Sequence, residues 1–385
     1  NATFSADSIT AQGFMWGLQA DLSDGASVSV DTTDGLTAIE TELTGLTAGT
    51  VHYFSAFATN ASGTSYGDTL SFRTKTPITD DNIHAAVNSW ANDSIGATTT
   101  YGHISDWNTS AVTNMAELFK SKATFNDDIR DWDVSNVTDM SYMFQSATVF
   151  NKDIGDWDVD AVTAMGGMFY KAAAFNQPIG GWDVSNVTDM SFMFSQATAF
   201  DQDIGDWDVS SVTNPQAMFA KAAAFNQPIG GWDVSNMTNM SNMFYEAAMF
   251  NQDIGDWDVS NVTNMNAMFL KVAAFDQPIG GWDVSNVFNM ANMFYQTAFN
   301  QDIGNWDVSN VNSMREMFAK AAAFNQDIGN WDVSNVTNMA YMFDQATAFN
   351  QDLSLWCVTG FPSEPSGFGN SSGTNPVWGT CPVVD

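Results

Sequence analysis

A chain of 385 residues has room for two or three domains, and 44% hydrophobic content is enough to bury real cores. Eleven basic residues against 44 acidic ones leave a formal charge of −33, although only 14% of the chain is charged. Such a surface excludes nucleic acid and anionic lipid headgroups as partners and favours cations or basic surfaces, and no apolar run is long enough to insert into a membrane.

In chain order, residues 1–76 read as a small β-sandwich. Asn1 opens directly into strand-like sequence, which reads as the interior of a longer, processed chain. Leu46-Thr47-Ala48-Gly49-Thr50 leads into a strand, followed by Ala58-Thr59-Asn60-Ala61-Ser62-Gly63 and Leu70-Ser71-Phe72-Arg73-Thr74. These stretches resemble a fibronectin type III module, which implies a spacer role, with His52 standing where that module has its corner tyrosine. Residues 77–97 are predicted to be a linker and an N-terminal capping helix. Thr79-Asp80-Asp81 opens that helix, and Ile83, Ala86, Val87 and Trp90 share one side of it.

Residues 98–356 are dominated by a repeat. Tryptophans at 107, 132, 157, 182, 207, 232, 257 and 282 are 25 residues apart, and after one residue drops out Trp306, Trp331 and Trp356 resume the period. A period of this kind is the mark of stacked coils. Trp157 and Val159 share one strand face while Asp156 and Asp158 share the other. Val137, Met140, Met143, Phe144 and Ala147 recur at three- and four-residue steps, which predicts a short helix. Residues such as Asn114, Asp139, Asp189 and Asn338 stand in the N-cap position. The predicted fold class is therefore an α/β repeat solenoid, with one short strand and one short helix per coil, behind an N-terminal β-sandwich. A single coil cannot fold alone. Burying its apolar anchors yields ~12–24 kcal/mol against an ordering cost of roughly 35 kcal/mol. Stacking makes up the difference, and the ends of the stack need caps.

The phrase Phe324-Asn-Gln-Asp-Ile-Gly-Asn-Trp-Asp-Val-Ser-Asn-Val-Thr-Asn-Met339 resembles the BspA-type, leucine-rich-repeat-like repeat of bacterial surface proteins. The resemblance implies a right-handed solenoid on an exported or cell-surface protein associated with adhesion, with no catalytic residues to transfer. Residues 357–385 degenerate into a Gly-, Ser- and Pro-rich tail. In an exported protein its Cys357 and Cys381 read as a disulfide clamp.

The residue after each tryptophan forms an acidic column of Asp133, Asp158, Asp183, Asp208, Asp233, Asp258, Asp283, Asp307 and Asp332. At a strand spacing of ~4.8 Å each neighbouring pair repels by ~0.9 kcal/mol in water and ~3.5 kcal/mol at an effective dielectric of 20. Three kinds of compensation are open: hydrogen bonds from the Ser, Asn and Thr that follow; Ca2+, for which Asp156, Asp206 and Asp256 recur in alternate coils as further oxygen ligands; or simple screening by salt in a saline habitat. Lys171, Lys221, Lys271 and Lys320 recur on a similar two-coil spacing. Tyr142, Tyr170, Tyr245, Tyr295 and Tyr341 are candidates for stacking on a sugar, whereas the repeated Trp and Phe read as core. An enzyme needs a unique constellation, and this array repeats its residues instead. The function expected is adhesion or structural display outside the cell, with a protein or glycan on a surface, or a further copy, as partner. The alternatives are a carbohydrate-binding module of a secreted polysaccharide-utilisation system and a subunit of an extracellular filament.

Overall fold

A computed structural model of the chain describes residues 9–30, 40–369 and 373–382. The chain divides into two units, residues 1–78 with 88–107 and residues 79–87 with 108–385.

The first unit is built on a long central strand. β1 (Ala11–Gly17) pairs antiparallel with β2 (Ala26–Val30) on one side and with β3 (Val51–Asn60) on the other. The far edge of β3 is shared, its first half pairing with β5 (Leu70–Arg73) and its second half with β4 (Gly63–Tyr66). The rings of Phe14 and Phe72 lie 6.5 and 5.9 Å from that of Phe54. His52 is buried between Trp16 and Phe72, and its Nε2–H donates to the carbonyl of Thr47 at 3.1 Å. A histidine thus ties the start of β3 back to the preceding turn. The sequence predicts a two-layer sandwich; the described strands form one open five-stranded antiparallel sheet, while residues 1–8 and 31–39 of the expected sandwich lie outside the described residues.

Two helices follow, α1 (Ile83–Asn92) and α2 (Ser94–Tyr101), so helix runs past the predicted end of the cap at 97. Ile83, Ala86, Val87 and Trp90 are all buried, as their spacing predicts. Asp93 caps α2 by accepting the Gly96 N–H at 3.0 Å. No described helix is long and apolar enough to cross a membrane.

In the second unit the 25-residue repeats stack coil on coil, and here the predicted local structure needs correction. Neither a strand nor a helix forms inside a coil. From Asp139 onward the backbone N–H groups take turns. Met140, Tyr142, Phe144 and Ser146 donate to Ala164, Gly166, Met168 and Tyr170 of the next coil at 2.7–2.9 Å. Met143, Gln145 and Ala147 instead donate three residues back, to Met140, Tyr142 and Phe144. This alternation needs left-handed backbone, with φ of 56° at Tyr142 and 58° at Ser146, and the same sites recur in every coil. A helix would spend every N–H within its own segment; the turns release every second one to the neighbouring coil. The apolar stripe of Val137, Met140, Met143, Phe144 and Ala147 is fully buried all the same. The residues placed as N-caps are the ones that bridge the coils, as single parallel pairs such as Asn114 with Asp139 and Asp139 with Ala164. Their side chains still accept the N–H two residues on, as Asp139 does from Ser141 at 2.8 Å.

The Trp segment alternates as expected, with Trp157 and Val159 buried and Asp156 and Asp158 exposed. It is held by turns and by the indole, whose N–H donates to an isoleucine carbonyl of the preceding coil: Trp182 to Ile154 and Trp207 to Ile179, both at 3.1 Å. Stacking aligns the core into aromatic files. From Phe144 to Phe343 successive rings lie 5.6–5.8 Å apart with planes within 9°. A parallel file runs from Phe150 to Phe349 at 5.8–6.3 Å. From Ile154 to Ile328 a glycine follows the isoleucine, and a Cβ at Gly155 would collide with the carbonyl oxygen of Pro178 one coil on.

Both ends of the stack are finished. At the start, the Asp80 carboxylate accepts the N–H groups of Thr113 and Asn114 and the Thr113 hydroxyl at 2.7–3.1 Å. It replaces the preceding-coil carbonyl that a threonine such as Thr138 finds in Thr113. At the end, Phe343 N–H donates to Phe368, whose ring turns 85° to that of Phe343 and so closes the file. Trp378 packs edge-on against Phe368, and the Cys357–Cys381 disulfide ties the tail.

Candidate interaction surface

Two longitudinal surfaces of the coils carry the polar chemistry. The first is the acidic column. All nine of its aspartates are exposed, and each folds back to accept the N–H two residues on, from Ser135 at 3.1 Å to Ser334 at 3.0 Å. The serine hydroxyl adds a second bond, explicit at Ser135 Oγ to Asp133 at 2.6 Å. Serine hydroxyls and then serine N–H groups hold Asp133, Asp183, Asp233, Asp258 and Asp307 below the ordinary carboxylate range. Hydrogen bonds therefore offset part of the repulsion along the column. Asp160 stands where most other coils have serine, and the charge of Asp158 beside it pushes its carboxyl up.

Asp156, Asp206 and Asp256 are exposed on the other side of their tryptophans. In the coils between, the same position is Gly181, Gly231 or Gly281, where a Cβ would meet open space. These glycines answer no steric need, and the first of them opens a shallow groove rimmed by Asp183, Asp206 and Asp208. Among the described residues no three or more His, Cys, Asp or Glu side chains are grouped so as to hold a metal ion.

The second surface is a ridge of lysines and tyrosines. Lys171 lies over the ring of Tyr170 at 4.8 Å, Lys221 over Tyr245 at 5.3 Å, and Lys320 over Tyr295 at 5.2 Å. Lys271 bonds Glu246 at 2.7 Å, and Lys221 reaches the same carboxylate at 3.5 Å. Hydrogen bonding to Glu246 raises Lys271 and hydrogen bonding to Tyr295 raises Lys320, so both are firmly cationic. The five tyrosines fall into two coil positions. Tyr170, Tyr245 and Tyr295 follow the filed phenylalanine and are half-buried under lysine. Tyr142 and Tyr341 precede the Met-Phe pair, and their rings lie over Gly167 and Gly367. Each of these tyrosines therefore already has part of its face covered.

A further ordered feature lies behind the conspicuous polar residues that follow the second filed phenylalanine. The residue after the second filed phenylalanine forms an amide ladder: Asn151 Oδ1 accepts from Asn176 N–H and Gln177 Nε2, both at 2.9 Å, and Asn325 Oδ1 accepts from Asn350 and Gln351. Asp201 and Asp276 substitute in the same ladder, their carboxylates accepting the N–H groups of Asn226 and Asn300, because only the acceptor oxygen is used. The Phe-Asn-Gln triplet of the repeat is its signature.

Stacked coils, paired end caps and surfaces that repeat without a unique constellation define a repeat protein. The coils match three times over the family described as "Mycoplasma protein of unknown function, DUF285", at residues 90–200, 177–282 and 264–376. These matches join into a span well over half of the chain, which belongs to that family. Neither a curated protein nor a solved structure matches.

Proposed function

We propose that this is a non-enzymatic, exported repeat protein of the BspA-like kind, a solenoid that presents its coil surfaces for adhesion or structural display, with the N-terminal sheet as a fibronectin type III-like spacer. The observation that carries this reading is the repetition of the surface itself. The same carboxylate sits in the same turn in nine coils, and lysines recur on a second surface of the same array. Chemistry needs one well-made centre; attachment gains from many equivalent ones. The disulfide between Cys357 and Cys381 supports an oxidising, extracellular setting.

Deletion of residues 200–249 tests this reading. The cut removes one two-coil unit and rejoins equivalent coil positions, and each coil contacts only its neighbours. The shortened chain should still unfold cooperatively, and its retention on a surface that captures the full chain should fall only in part. Complete loss of retention by a folded deletion variant would mean that one unique site, not a repeated surface, does the work.

A further inference from the structure

The lysine ridge has an alternation that display alone does not require. The position two residues after the filed phenylalanine reads Lys171, Gln196, Lys221, Glu246, Lys271, Gln296, Lys320, Gln345 from one coil to the next. All eight have left-handed backbone, with φ between 56° and 61°. Their N–H groups fix the register, Lys171 donating to Ser195, Gln196 to Ala220, Lys221 to Tyr245 and Lys271 to Tyr295 at 2.6–2.8 Å. Side chains therefore leave the surface from equivalent points about 4.8 Å apart, and the lysine backbone positions recur about every 10 Å along the stack. The ammonium groups themselves lean differently, Lys171 over Tyr170 of its own coil, Lys221 towards Tyr245 and Glu246 of the next coil, and Lys271 and Lys320 towards Glu246 and Tyr295 of the coil before. Tyrosine floors pin three of the four.

We propose that this ridge binds an extended anionic polysaccharide carrying one carboxylate or sulfate per disaccharide. The inference rests on the reading of the coils as a display surface and names a ligand class for one face. One sugar ring lies over each coil. Charged rings meet Lys171, Lys221, Lys271 and Lys320, and neutral rings offer hydroxyls to the amides of Gln196, Gln296 and Gln345, which both donate and accept. The ridge is one residue wide, which suits a thread better than the face of another protein. A second copy of this chain fits poorly, because its acidic column places a carboxylate at every coil and so presents two for each lysine. The −33 charge of the chain repels a polyanion at long range, but physiological salt screens that repulsion beyond about 8 Å and leaves the local lysines in control. Glu246 is the misfit. It occupies Lys221 and Lys271 and competes with the ligand's own anion.

The test is calorimetric titration of the full chain, at physiological ionic strength, with decasaccharides of hyaluronan and heparosan, each carrying one carboxylate per disaccharide, and with a neutral chitin oligosaccharide. A variant with K171Q, K221Q, K271Q and K320Q keeps its fold, because glutamine already holds this position in three coils; thermal unfolding checks this. The anionic oligosaccharides should bind and the neutral one should not. The quadruple variant should lose roughly tenfold in affinity or more, and Glu246→Gln should bind more tightly than the parent. Failure of both anionic probes at millimolar concentration, or undiminished binding by the folded quadruple variant, overturns the proposal while leaving the display reading to the deletion experiment. Sedimentation showing that the parent self-associates and the quadruple variant does not would give the ridge to a second copy and overturn it equally.

Discussion

At the scale of single residues, the acidic column is a problem largely solved by serine. An aspartate whose carboxylate accepts a serine hydroxyl and N–H loses those bonds on protonation, so its contribution to stability is present above the ordinary carboxylate range. It fades as pH falls through that range towards the lowered value in the folded chain. Asp160 is the exception, since it sets a second carboxylate against Asp158 where serine would donate, and its raised carboxyl weakens the fold at neutral pH. Asp160→Ser should therefore raise the melting temperature at pH 7. The gain should shrink as the pH falls into the carboxylate range, where Asp160 of the parent becomes neutral and no longer suffers the repulsion that the serine relieves. A melting temperature that is unchanged at pH 7, or a gain that persists equally at low pH, would remove serine as the source of compensation. Both groups are exposed, so the effect is small.

At the scale of the coil, the inward residues were legible in the sequence and the backbone path was not. Val137, Met140, Met143, Phe144 and Ala147 were marked for the core by spacing alone, and they are buried. The same spacing predicts a helix, yet it is also what a row of tight turns produces when every second N–H is released to the next coil. Residue type barely separates the two: Gly167 and Asn242 suit left-handed backbone, but Tyr142, Phe192 and Ala217 hold the equivalent position in other coils. Side-chain periodicity does not register the turns either. The amide ladder was likewise hidden, because asparagine in a turn and asparagine in a ladder look alike until coils are stacked. Its role gives a sharp comparison. Asn325→Ala removes the acceptor of the Asn350 N–H and one of the two Asn325 oxygens that hold the Gln351 amide, and should cost about 0.5–1.5 kcal/mol in chemical denaturation. Asn325→Asp keeps the acceptor, as Asp201 and Asp276 do, and should cost much less. Equal losses from the two substitutions would show that the oxygen is not what the ladder uses.

At the scale of the whole molecule, stability is shared along a line of neighbours, so the ends matter more than in a compact domain. Asp80 satisfies the opening coil through a carboxylate, whereas the closing coil depends on a tail whose own packing is modest. Phe368 is fully buried and Trp378 partly so, while most of the residues around them are exposed. The clamp between Cys357 and Cys381 closes a sequence separation of 24 and restricts the unfolded tail; bridges over loops of that size contribute roughly 3–4 kcal/mol on the chain-entropy model. Because coils communicate only through adjacent faces, that contribution should be spent locally. Replacing both cysteines by serine should speed amide exchange over the last coils, around Phe343, Phe349 and Trp356, and leave the middle coils near Phe219 and Phe244 close to their original protection. If protection falls uniformly along the stack, the coils unfold as one cooperative body and the cap holds the whole array. If it falls nowhere, the turned ring of Phe368 ends the stack unaided.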